Sequence, residues 1–166
     1  MPFSFLPRLM TEKTTDVTPE LLRSHGIRLL MLDFDNTIVP YTTTVPTPEM
    51  ENWLKEMNSL EDIQLCIVSN SKNDRVPKFC RERRIDVITH AAKPFPKGIN
   101  ECLAKYGSPA SRAAIIGDQI FTDTLGGNNA DVMPILVEAI DNHNFWLKAR
   151  HVLEMPFIFA ARKRRI

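Results

Sequence analysis

The sequence predicts a three-layer α/β/α domain around a Rossmann-like parallel sheet. Three observations carry that prediction. Short apolar runs recur and end in polar residues, helix-patterned stretches separate them, and 166 residues suit one such domain. The domain is expected to span 1–166, with a core over about 28–138 and a basic, aromatic segment over about 141–166. Apolar residues make up 43% and charged residues 25%, as in an ordinary globular protein.

The first strand is read at residues 28–33, a continuous apolar run of the kind buried on both faces of a sheet. A polar loop over 40–46 follows. Thr47, Pro48 and Glu49 then supply an N-cap, a proline at the first helical position and an early acid. Met50, Trp53, Leu54 and Met57 recur at helical spacing and should face the sheet. A second strand covers 64–68 and ends at Ser69. The next helix, about 73–84, turns Val76, Phe79 and Cys80 inward. A short strand at 87–89 precedes Lys93 and Pro94, and a helix over about 97–106 is closed by Gly107. The fourth strand, 113–116, leads to Gly117 and Asp118. A short helix around 121–125 runs through Gly126 and Gly127 to a fifth strand, 133–137. Beyond Asp141 the pattern supports a helix through Trp146, Leu147 and Arg150, with an open tail.

In an open parallel sheet, ligands bind beyond the carboxyl ends of the strands. Asp33, Ser69, Lys93 and Asp118 each fall just past a separate predicted strand, so this fold gathers them at one edge. Asp33 and Asp35, two residues apart, converge and need a cation or a shared proton. Oxygen ligands of this type suit a hard metal such as Mg²⁺, which also accepts phosphate oxygens. Asp118 and Asp123 add carboxylates, and Gly117 permits a close backbone approach. Ser69 offers a hydroxyl and Asn70 an amide to phosphate, while Lys93 offsets negative charge. Turn and capping chemistry explains each feature singly. It does not explain the whole set, in order, at successive strand ends.

The set Asp33-x-Asp35-x-Thr37, Ser69, Lys93 and Gly117-Asp118-x₄-Asp123 resembles the four motifs of the haloacid dehalogenase (HAD) superfamily of phosphatases. The resemblance covers about 29–137 and implies a HAD-like core. Asp33 would then be nucleophile and magnesium ligand, with the Asp35 backbone carbonyl also on the metal. Asp35 would act as general acid and then as base. Thr37 and Ser69 would hold phosphate, Lys93 would steady the intermediate, Asp118 would bind Mg²⁺, and Asp123 would act from behind these ligands. Phe5-Leu-Pro, the run from Leu32 to Ile38, Ser69-Asn-Ser, Lys93-Pro94 and the stretch from Gly117 to Asp123 are also similar to the YqeG-type branch of subfamily IIIA. That branch is similar to the phosphatidylglycerophosphate phosphatases. The last thirty or so residues match no motif.

Cap domains of this superfamily are inserted after the first motif or between the second and third. Here neither interval is long enough to fold separately, so the site should be open to a phosphate carried on something large. Charge narrows the choice. From Trp146 onward Lys148, Arg150, Arg162, Lys163, Arg164 and Arg165 face one acid, Glu154, giving +5 locally in a chain of net charge +1. Mixed with Phe145, Trp146, Leu147, Phe157, Ile158 and Phe159, these charges suit an anionic membrane surface. Packing of the same aromatics on the sheet is the alternative. The expected substrate is a phosphorylated lipid head group, phosphatidylglycerophosphate above all, and the alternative is a soluble phosphoprotein or small metabolite. A scaffold that keeps the motif incidentally is disfavoured by the complete catalytic set. A second basic cluster, Lys78, Arg81, Arg83 and Arg84, reads as a solvated helix face. No nucleic-acid partner is expected, and oligomeric state is left open. Three widely spaced cysteines read as buried, reduced thiols and point to the cytoplasm, with peripheral attachment at the inner membrane face. No apolar stretch approaches the roughly 20 residues of a spanning helix, and no signal peptide is read at the start.

Overall fold

A computed structural model describes residues 4–141 and 145–165, with the backbone alone over 145–151. Six parallel strands form one sheet in the order β1-β6-β5-β2-β3-β4. They are β1 (Leu9–Met10), β2 (Leu29–Leu32), β3 (Gln64–Val68), β4 (Asp86–Ile88), β5 (Ala113–Gly117) and β6 (Met133–Leu136). The helices are α1 (Pro19–Ser24), α2 (Pro48–Ser59), α3 (Arg75–Arg83), α4 (Lys97–Tyr106), α5 (Leu125–Asn129) and α6 (Phe145–Ala161). All five expected strands are present within a residue or so of their predicted ends.

The central strand shows why a continuous apolar run was needed. Leu30 and Leu32 enter one core with α2 and α3, contributed by Trp53, Leu54, Val76 and Phe79. Leu29 and Met31 point the other way, into a second core with Ile99 and Cys102 of α4. Side chains alternate across a strand, so both faces must be apolar when helices cover both. The three cysteines are free and buried.

Three elements differ from expectation. β1 is an added edge strand paired with β6, Leu9 opposite Ile135. Its two residues carry no periodicity, so pairing rather than local pattern creates it. α1 begins with Thr18-Pro19-Glu20, and the Thr18 hydroxyl accepts from Leu21 N at 3.2 Å. Thr47 does the same for Met50 N at 3.2 Å. Finally, Gly126 and Gly127 lie inside α5, which continues from a π-helical turn at Ile120–Thr124, rather than in a connector.

The C-terminal segment combines the two environments weighed for it. Phe157 packs against Phe5 and Phe121, and Ala161 is fully buried. Val152, Leu153, Met155 and Phe159 stay exposed. The tail, left undecided by the sequence, is tied to the N-terminal segment. Arg164 donates to Pro7 O at 2.6 Å, Arg165 pairs with Glu12 at 3.0 Å, and residue 165 bridges Met10 of β1. The expected environments of Phe145, Trp146, Leu147, Lys148 and Arg150 lie outside the described side chains. In the other basic cluster, Arg83 departs from a solvated role: it pairs with Glu51 at 2.9 Å and stacks over Phe79. Among the described residues no helix is long and apolar enough to cross a membrane.

Candidate active site

Strand order reverses between β2 and β5, and the crevice beyond such a switch point is where open α/β sheets bind ligands. Asp33 leaves β2 with its N–H still on Ile116 O of β5 at 2.9 Å. Asp118 leaves β5 directly alongside. Ser69 follows β3, and Lys93 follows β4 by way of a turn. An open cleft of about 220 Å³ is lined by Asp33, Asp35, Ser69, Asn70 and Lys93, together with Tyr41, Ser71, Gln119 and Thr122. Thr37, Asp118 and Asp123 are buried beside it. Thus all eight expected site residues gather at one edge, five of them on the cleft wall. Among the described residues, neither interval that carries caps in this fold holds a separate domain.

Lys93 organises the centre. Its Nζ donates to Asp33 Oδ1 and to Asp123 Oδ1, each at 2.6 Å, in a buried ion-pair triad. Burial alone would lower the pKa of this ammonium, but the carboxylates of Asp123 and Asp33 outweigh it and raise the pKa. Lys93 therefore stays charged. Burial pushes the Asp33 carboxyl up to about 7, against the pull of Lys93 and with a further push from Asp123. Asp33 and Asp123 thus share a single ammonium, two carboxylates to one cation.

Carboxylate oxygens of Asp33, Asp118 and Asp123 lie within 4.8 Å of one another. This all-oxygen donor set fits a hard divalent cation. Asp123 is engaged at both oxygens: Oδ1 takes Lys93 and Oδ2 accepts from Gln119 N at 3.2 Å. Its position depends on Gly117, where an added Cβ would fall 2.2 Å from the Asp123 Cγ.

Two side chains are placed differently from the expected phosphate contacts. The Asn70 amide is committed at both ends to the Lys93 backbone: Nδ2 donates to O at 2.9 Å, and Oδ1 accepts from N at 2.8 Å. As placed, it fixes the Lys93 loop. The Thr37 hydroxyl donates to Asp118 Oδ1 at 3.4 Å, and the Thr37 carbonyl accepts from Thr14. Ser69 accepts from Ser71 N at 3.1 Å and keeps its place on the cleft wall.

One charged partner was not anticipated. Arg75, the first residue of α3, pairs with Asp35 through Nη2 and donates to Tyr41 O through Nη1 at 2.6 Å. Its guanidinium lies 5.2 Å from the centre of the Phe34 ring, while its buried Nε has no hydrogen-bond partner. Burial raises the Asp35 pKa, and Arg75 and then Lys93 oppose the rise. The only sequence signal for Arg75 is a basic residue six positions after Ser69, a spacing with no chemical rule behind it.

Residues 1–139 match a family described as Mitochondrial PGP phosphatase. The probable phosphatase YqeG of Bacillus subtilis is 34% identical over 133 residues, covering 80% of this chain and 77% of that protein. Phosphatidylglycerophosphate phosphatase 1, chloroplastic/mitochondrial, of Arabidopsis thaliana is 24% identical over 145 residues, 81% of this chain but 41% of that one. A solved HAD-superfamily hydrolase from Ehrlichia chaffeensis superposes with a TM-score of 0.52 at 16% identity, over 78% of this chain and 97% of its own. That last likeness bears on the fold alone.

Proposed function

The chain belongs to the family described as Mitochondrial PGP phosphatase and is a HAD-type phosphomonoester hydrolase; on that premise we propose that it uses Mg²⁺ and an aspartyl-phosphate intermediate to remove the head-group phosphate of phosphatidylglycerophosphate. The observation that carries the chemistry is the buried triad of Lys93 with Asp33 and Asp123, set next to Asp118. A carboxylate attacks an anionic phosphoryl group only when positive charge offsets the repulsion, and phosphoryl transfer otherwise needs chiefly in-line positioning.

In this reading Asp33, with one oxygen held by Lys93, attacks phosphorus through the other. The bond to the leaving oxygen breaks as Asp35 delivers a proton to it. Water then attacks the phosphorus of the acyl-phosphate and gives its proton to Asp35, so phosphate leaves and Asp33 returns as carboxylate. Ser69 and the Thr37 region serve the phosphate oxygens. Mg²⁺, held by Asp33, Asp118 and the Asp35 backbone carbonyl, would neutralise charge on the transferring group. Asp123 aligns Lys93. The open cleft and the basic segment support a lipid head group at a membrane surface, and the name printed for the Arabidopsis relative supports the same substrate class.

The test is phosphate release from phosphatidylglycerophosphate, phosphopeptides, sugar phosphates and an aryl phosphate, with Mg²⁺ or excess chelator. The lipid should be the preferred substrate and chelator should abolish turnover. Asp33→Asn should be inactive yet folded, because an amide forms no acyl-phosphate. Turnover of that variant near the parent's rate would refute the nucleophile, and preference for a soluble ester would select the alternative substrate class.

A further inference from the structure

We propose that the groove between α6 and the chain leaving β6 is a subsite for the acyl-glycerol part of a lipid phosphomonoester. This rests on the lipid reading above and extends it to how the apolar part of the substrate is held. The groove, about 280 Å³, has apolar walls from Leu136, Val137, Met155, Ile158 and Phe159. Asp118 also lines it, so the groove opens beside the carboxylate cluster rather than on a distant surface. Its volume lies just below the range of small-molecule pockets, roughly 300–1,000 Å³. It therefore suits part of an amphiphile whose phosphate lies in the neighbouring cleft.

Two features favour a lipid over a generic apolar guest. The outer lip is an exposed apolar stripe: Val152, Met155 and Phe159 are 66%, 55% and 72% exposed and recur at i, i+3 and i+7. Isolated exposed apolar residues are ordinary, but a helical stripe continuous with a groove offers a path from bilayer to site. Arg162 stands on the groove as its cation and, among the described residues, has no ion-pair partner. A lipid phosphomonoester with a phosphodiester between head group and acyl chains presents both complements: an anion for Arg162 and methylenes for the apolar walls.

The experiment separates the groove from membrane attachment. Dihexanoyl phosphatidylglycerophosphate, kept below its aggregation concentration, is compared with its deacylated counterpart, glycerophosphoglycerol phosphate. A buried methylene is worth roughly fourfold in binding, so two of them predict a KM about fifteenfold lower for the acylated compound. Ala139→Phe, which fills the groove, and Phe159→Ser, which removes part of its lip, should each bring the two KM values to within about twofold. Thermal unfolding midpoints establish that each variant is folded. Equal KM values in the parent would overturn the subsite while leaving the phosphatase reading intact. A parental preference that survives in both variants would also overturn it. Hydrolysis of neither compound would overturn the lipid reading and the subsite together.

Discussion

At Asp35, the carboxylate expected to move protons is held by Arg75, which also grips the carbonyl of Tyr41. Arg75→Ala should therefore lower kcat more than it raises KM, by about tenfold or more, with partial rescue in Arg75→Lys. Steady-state kinetics on an alkyl phosphate would read the split, and an unchanged kcat would count against Arg75 as a positioning residue. Asp35→Asn should cost about 10²–10⁴ in rate on alkyl esters and less on aryl esters, whose leaving groups need no proton. The Asp33 carboxyl gives a pH prediction. Its folded pKa stands at about 7 against an ordinary 3.8. Between those values the folded chain holds a proton that the unfolded chain has released, so metal-free stability falls as pH rises and levels off above 7. A divalent cation competes with that proton. The rise in melting temperature on adding Mg²⁺ should therefore grow from pH 5 to pH 8. Equal shifts at both ends would show that cation and proton do not compete at Asp33.

The helices and strands show what was legible and what was not. Each motif residue was readable because the fold constrains where it can lie: an acid or a lysine just past a buried strand has only the carboxyl edge to face. The Thr-Pro-Glu signal occurs at both α1 and α2 but was read only at α2, where an amphipathic stripe follows it. Thr47→Ala should cost about 1 kcal/mol of unfolding free energy in denaturant titration. β1 could not be read, because its two residues acquire strand character from pairing with β6. Arg75 and the Lys93 contacts of Asn70 were beyond reach for another reason. The partners, the Asp35 carboxylate and the Lys93 backbone, lie 40 and 23 positions away, and only the folded chain sets those meetings. Gly117→Ala tests the tightest contact of all. An added methyl would push Asp123 off Lys93, so activity should fall sharply. Circular dichroism should report an intact sheet, since the strand itself can keep its hydrogen bonds.

Seen whole, the basic tail holds two kinds of residue. Arg164 and Arg165 are tied to Pro7, Glu12 and Glu138, whereas Arg162 and Lys163 have no such partners among the described residues. Only the second pair suits an anionic bilayer. Replacing both with serine should weaken binding to anionic vesicles by about 2 kcal/mol, roughly thirtyfold, at low salt and by less as salt rises. Unchanged sedimentation with vesicles would move the attachment elsewhere. The tied pair has another consequence. By bridging Met10, residue 165 occupies the outer side of β1, and the opposite edge strand, β4, is three residues long and carries Asp86. Exposed strand edges invite pairing between neighbouring molecules, and short, charged or covered edges discourage it. Proteins crowded into the two dimensions of a membrane surface meet one another far more often than in bulk solution. Blunted at both edges, this sheet resists edge-to-edge polymerisation, and a chain shortened after Ala161 should scatter more light as its concentration is raised.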